Sequence, residues 1–197
     1  MNEQDVFILA DRTLQGVVDQ ITDDQWSMTM PSDFQTAADE PVTLRQVVGH
    51  HAYDDAWVPD MLRGRTMAEV GEDAYRGDLL GADPRAAFDA LVDRACAATA
   101  MLDDPQRPVH CSYGTFSARE FLTHVTSFRG LRAYDIAAAI GVSTTLPPDL
   151  VSALWDQIEP NVEQWRAMGV FGPAAPVAAD VSAQDRLLAM TGRRPTG

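Results

Sequence analysis

The stretch SAREFLTHVTSFRGLRAYDIAAAIG, residues 117–141, decides how this chain is read. Ser117 followed by Glu120 has the form of a capping box, Phe116 is placed to staple onto Phe121, and Gly141 supplies the stop. At about 100° per residue, Phe121, Val125, Phe128, Arg132, Ile136 and Ala139 share one stripe, with Arg129 at its edge. This is the one helix with cations on its expected inner face. A guanidinium keeps its charge when buried, so Arg132 must meet a carboxylate, a ring of acceptors or an anionic ligand. Two readings follow: an internal ion pair, or a cleft in which Arg129 and Arg132 bind the carboxylate of a substrate.

Just upstream, RPVHCSYGTF (residues 107–116) alternates over a short distance around Gly114 and predicts an extended piece or small hairpin. Before that, Asp83 as cap and Pro84 at the first helical position open a scaffold helix whose core face is Phe88, Leu91, Val92, Ala95 and Leu102. Residues 64–83 are rich in turn formers and contain one short helical turn.

The second informative helix runs from Thr43, its cap, to about Gly64. Leu44, Val47, Val48, His51, Asp55, Val58 and Leu62 form a narrow stripe, flanked by His50, Asp54, Trp57 and Met61. Two His/Asp pairs therefore project from adjacent faces. On the inner stripe, His51 and Asp55 are candidates for moving a proton; equally, Asp55 could bridge to Arg132. Pro59 is expected to kink or break this helix. The first helix, about residues 3–21, has Val6, Leu9, Ala10, Thr13, Val17 and Ile21 inward and is expected to carry no inward polar group. Residues 22–42 read as a long loop, either a lid or an ordered surface excursion. After Gly141, prolines start a further helix that Pro160 kinks and Gly169 ends. A strap VFGPAAPVAADV follows, then a short helix capped by Ser182 with Asp185.

At 46% hydrophobic over 197 residues the chain can bury one real core. We expect a helical bundle over 1–141, with the helix, strap and terminal helix of 142–197 packed on the same domain. The formal net charge of −14, with all the basic residues arginine, disfavours nucleic acid and anionic membrane surfaces as partners. The opening residues MNEQDVFILADRTLQG have no basic segment and no adequate apolar run, so a cytoplasmic protein is expected. Cys96 and Cys111 lack any framework or CxxC spacing and read as reduced thiols.

Several of these pieces together resemble a known family: TLRQVVGHH at the head of the second helix, EVG, GDLLG and DP before the third, PVHCSYGTFSARE into the fourth, RAYDIA within it and VFGP near the end. The chain is similar to the mycothiol-dependent maleylpyruvate isomerase/DinB-like superfamily, closest to an actinobacterial branch without an established function. The resemblance implies an all-α fold: a DinB-like four-helix bundle with a short hairpin before helix four and a C-terminal helical extension. It also implies a divalent metal, zinc or nickel, held by three side chains and used to activate a thiol such as mycothiol for isomerase or S-transferase chemistry. His50 matches the ligand of the second helix. The later ligand positions fall on Phe128 and Arg132, just before Ala133-Tyr134-Asp135, and neither can hold a cation, so the metal triad is degenerate. A shifted site of His50, Asp54 and His124 is the remaining metal candidate. Three functions are thus open: a small-molecule enzyme with His50 or His51 shuttling a proton, a binder of a small anion, or a structural protein acting through its surface or as a homodimer.

Overall fold

A computed structural model describes residues 1–32, 34–36, 40–178 and 180–194. The described chain is mostly helical, with one two-stranded hairpin. Its long helices are α1 (Glu3–Val18), α2 (Leu44–Leu62), α4 (Pro84–Ala100) and α5 (Ala118–Ile140); α3 (Met67–Val70) is a single turn. Strands β1 (Pro108–Cys111) and β2 (Gly114–Ser117) pair antiparallel, Val109 facing Phe116, immediately before α5. Then come α6 (Pro148–Ile158), a 3₁₀ turn at Glu159–Asn161 beside Pro160, α7 (Val162–Ala167) and α8 (Ala183–Met190).

Local chemistry sets these ends. Thr43 and Gln46 cap α2 reciprocally, Ser117 and Glu120 do the same for α5, and Asp83 accepts the Ala86 N–H ahead of α4. Gly141 takes the left-handed conformation, φ +76°, that closes α5. Pro59 does not end α2, which continues to Leu62; it only removes the N–H that would have reached the Asp55 carbonyl.

α1 packs on α5 and α4, and α2 packs on α4 and, over a smaller area, on α5. α6 lies against α5 and α1, and α8 against α6. Gly130 permits the approach of α6, since a Cβ there would stand 2.6 Å from Leu154 Cδ1. The apolar interior falls into two clusters. The smaller, at the hairpin end, joins Phe7, Val58, Leu62, Ala95, Val109, Phe121 and Leu122. The larger contains Ala10, Leu14, Val48, Ala52, Phe88, Leu131, Ile136 and the helices beyond. On α5 the residues between the two are Thr126, Ser127 and Arg129, all buried, so a polar layer divides the core.

Two expected faces are corrected. On α5, Phe128 is 43% exposed, while Arg129 is among the most deeply buried side chains of the described chain. The helix is turned so that Leu122, Thr126, Arg129, Ala133 and Ala137 face inward. On α1, Phe7, Asp11, Leu14 and Val18 are buried where Leu9 and Thr13 were expected, and Asp11 is fully enclosed. The first helix therefore does carry an inward charge.

The described residues of the loop before α2 pack onto the helices. An antiparallel bridge joins Thr29 to Thr43, and Trp26 and Met30 are buried beneath it. Part of this long loop, residues 33 and 37–39, lies outside the described residues. Among the described residues no helix is long and apolar enough to cross a membrane.

Candidate functional site

Two clusters of charged side chains lie along the α5 face. The first is built around Arg129. Its Nε donates to Asp11 Oδ1 and to Asp55 Oδ1, each at 3.1 Å, and its Nη2 makes a further short contact with Asp55 Oδ1. Nη1 donates to the Val125 carbonyl at 3.1 Å, and the guanidinium carbon sits 4.8 Å from the Phe7 ring centroid. The Cys96 thiol, from α4, donates to Asp11 Oδ2 at 3.7 Å. α1, α2, α4 and α5 thus each supply one member.

Two carboxylates share one guanidinium here, so the cluster holds one surplus negative charge if both are ionised. Burial is the dominant influence on Asp55 and raises its pKa to about 8, against the opposing pull of Arg129. Burial raises Asp11 for the same reason. Burial works against the charge of Arg129, but Asp55 and Asp11 hold its pKa above the ordinary value. The buried Asp55 Oδ2 has no hydrogen-bond partner among the described residues.

The second cluster is built around Arg132. Its Nη1 donates to the Gln35 carbonyl at 3.1 Å and to Asp135 Oδ2 at 3.3 Å, and Phe34 lies against the guanidinium, 4.3 Å from carbon to ring centroid. Asp135 is held more closely by Arg193 from the chain's end, which donates Nε to Oδ1 and Nη2 to Oδ2, both at 2.8 Å. Gln35 Nε2 donates to the Thr191 carbonyl at 3.2 Å, so the loop before α2 and the segment after α8 close over this part of α5 together. Burial lowers the Arg132 pKa, Asp135 opposes that, and Arg193 reinforces it. The buried Arg132 Nε has no partner among the described residues.

His51 of α2 faces this region. Its ring is buried, its Nδ1 has no partner among the described residues, and its pKa lies well below 6.5, first through burial and then through the charges of Arg132 and Arg129. The imidazole is therefore neutral at physiological pH. The expected Asp55–Arg132 bridge is replaced: Asp55 pairs with Arg129, and Arg132 with Asp135. Sequence spacing misjudged which arginine lies opposite Asp55 because it misjudged the rotation of α5.

His50 is 73% exposed and stands 3.7 Å from Asp54 across one helical turn. His124 of α5 is half-buried and packs edge-on against Phe116, with ring centroids 4.8 Å apart. Among the described residues no group of three or more histidine, cysteine, aspartate or glutamate side chains is arranged to hold a metal. His50, Asp54 and His124 are thus not gathered into a ligand set. The other implied ligand positions carry exposed Phe128 and the cation Arg132, so these residues do not fit zinc or nickel.

Asp11, Cys96, Gln35, Asp135 and Arg193 complete these clusters and escaped the sequence reading. Asp11 had a signal, being bracketed at helical spacing by Phe7, Ala10, Leu14 and Val18. No short-range signal points to Arg193, which meets Asp135 across 58 residues. The chain is a mostly helical protein with a charged layer in its core; no family model, curated protein or solved structure matches it.

Proposed function

We propose that this protein is a DinB-like four-helix bundle, formed by α1, α2, α4 and α5, that binds a small anionic molecule at the α2/α5 seam and has given up the metal centre of the maleylpyruvate isomerase-like group. One observation carries this reading: on α5, Arg132 shares the single carboxylate of Asp135 with Arg193, and its buried Nε has no partner among the described residues. Phe128 and Arg132 stand where the resemblance puts two of the metal ligands, which supports binding over metal-activated thiol transfer.

A catalytic version rests on His51. A neutral imidazole with a free Nδ1 beside Arg132 can accept a proton from a bound anion's neighbouring carbon or hydroxyl. Asp55, holding its own proton near neutrality, stands one turn along the same helix.

The test is the metal content of untagged protein, with and without added zinc or nickel, for wild type and His50→Ala. The expected result is no stoichiometric metal under any condition. Stoichiometric metal that disappears in His50→Ala would overturn the reading and restore the metal-dependent chemistry.

A further inference from the structure

We propose that the free edge of Arg132, formed by Nε and Nη2, is a binding site for the carboxylate of a small monocarboxylic acid with an apolar body. The site rests on the anion-binding reading above and specifies its ligand.

The argument begins with charge balance. Arg132 and Arg193 share the single carboxylate of Asp135, and Arg193 takes both of its oxygens at 2.8 Å, leaving Arg132 a longer contact of 3.3 Å. Among the described residues, one positive charge is therefore left over around this mostly buried cluster. A desolvated charge without a counter-ion is costly, and one negative charge on a ligand would offset it.

Donor geometry gives the shape of that ligand. Arg132 spends Nη1 on Gln35 and Asp135. Nε is buried without a partner among the described residues, and the hydrogen bonds of Arg132 run through Nη1 rather than Nη2. In a guanidinium the Nε–H and one Nη2–H point the same way, spaced to meet both oxygens of one carboxylate. The planar fork can meet two oxygens of a carboxylate or of a phosphate, and the single spare charge favours the monoanion. Phe34 already covers one face of the guanidinium and adds an apolar wall. The side chain of Arg132 keeps 15% of its surface exposed, which leaves an approach from solvent. His51, whose ring is kept neutral first by burial and then by the charge of Arg132, has an unpartnered Nδ1 among the described residues.

The number of charges follows from the neighbouring cluster. One turn along α5, Arg129 is outnumbered by Asp11 and Asp55, with Asp54 on the adjacent face of α2. A second negative charge on a ligand would find no spare donor there, because Arg129 already gives its N–H groups to Asp11, Asp55 and the Val125 carbonyl. A single carboxylate matches the one spare guanidinium.

Calorimetry on the untagged full chain, with benzoate, succinate and inorganic phosphate as probes, tests the site. Wild type is expected to bind benzoate one to one and at least tenfold more tightly than succinate or phosphate. Arg132→Met should weaken benzoate at least tenfold while circular dichroism and the melting temperature stay near wild type. Arg132→Lys, which keeps the charge but lacks the fork, should lose most of the benzoate affinity as well, and it serves if the methionine variant does not fold. Benzoate affinity unchanged in Arg132→Lys, or succinate or phosphate bound more tightly through Arg132, would overturn the monocarboxylate assignment while leaving an anion-binding protein. No binding of any of the three anions would overturn both.

Discussion

Arg129 and Arg132 stand three residues apart on α5, yet the first faces two carboxylates and the second shares one carboxylate with another guanidinium. The same side chain therefore sits in an acidic surplus at one turn and a basic surplus at the next. The Arg129 cluster is assembled from four helices and sealed between two apolar clusters; its imbalance can be relieved only by a proton. The Arg132 cluster is assembled from α5, a loop and the segment after α8, and its imbalance can be relieved by a ligand. What a buried arginine does is decided by how many carboxylates surround it and by whether solvent can still reach it.

The largest effect expected from this contrast is on stability. Arg129→Met would leave Asp11 and Asp55 facing each other without a cation and should cost about 3–5 kcal/mol in urea unfolding. Adding Asp11→Leu and Asp55→Leu removes the stranded charges, so the triple variant should recover most of that loss, because apolar replacement of a whole buried network is commonly neutral or stabilising. If the single variant is as stable as wild type, the Arg129 cluster is not the internal fixture described here.

A second test uses pH. Asp55 is surrounded by Arg129, Asp11, Asp54 and, one turn away, His51. Its folded pKa of about 8 lies above the ordinary 3.8, so between those values the folded state binds more protons than the unfolded one. Stability from this group is complete below 3.8 and lost as pH rises toward 8; Asp11 is shifted in the same direction. His51 acts oppositely, since its lowered pKa makes the folded state harder to protonate and costs stability only below about 6.5. Above 6.5 the aspartate effect stands alone. The melting temperature should fall by up to about 4 °C per pH unit between 6.5 and 8, the slope of one proton for a chain of this size. In Asp55→Asn that slope should largely vanish. A wild-type melting temperature flat across this interval would mean that both carboxylates are already ionised in the folded protein.

The two clusters also mark where sequence reading stops. The helix ends were legible because caps are short-range: Thr43 with Gln46, Ser117 with Glu120, Ser182 with Asp185 and Pro84 after Asp83 each solve a local hydrogen-bonding problem. The rotation of α5 was not legible, because the helix meets α1, α2, α6 and the hairpin and is apolar on several sides. A helix buried from many directions has no strong period to read. Choosing the stripe through Phe128 and Arg132 over the one through Thr126 and Arg129 was enough to assign Asp55 the wrong partner. His51 and Asp55 were placed inside from a cleaner pattern on α2, and both are buried. Asp11 was passed over because the stripe drawn on α1 omitted Leu14, the residue that shows which face is buried. The Arg193–Asp135 pair depends on how the chain's end returns to α5, which no local pattern encodes.

Removing Arg132 should affect stability far less than removing Arg129. In Arg132→Met, Asp135 keeps its two-pronged contact with Arg193, the surplus positive charge disappears, and His51 loses the strongest charge acting on it. We expect a change within about 1 kcal/mol, in the stabilising direction, by urea unfolding. Destabilisation as large as that of Arg129→Met would show that both arginines are structural and that no surplus charge awaits a ligand.

The smallest effect concerns Cys96, the most peripheral member of the sealed cluster. Its thiol gives Asp11 a weak hydrogen bond across 3.7 Å, and burial raises its pKa to about 12, so it is a neutral donor at any physiological pH. Cys111, at the end of β1, is also shifted upward by burial but is less enclosed. An alkylating reagent applied to the folded protein should therefore modify Cys111 before Cys96, read by mass spectrometry. Cys96→Ser keeps a donor to Asp11 and adds a stronger hydrogen bond against a larger desolvation cost, so its stability should remain within about 0.5 kcal/mol of wild type. Cys96→Val keeps the volume but leaves Asp11 Oδ2 without a donor and should cost about 1 kcal/mol. Serine tolerated and valine not would assign the thiol a share in balancing the acidic surplus around Arg129. Equal tolerance of both would confine that balance to the guanidinium and the proton on Asp55.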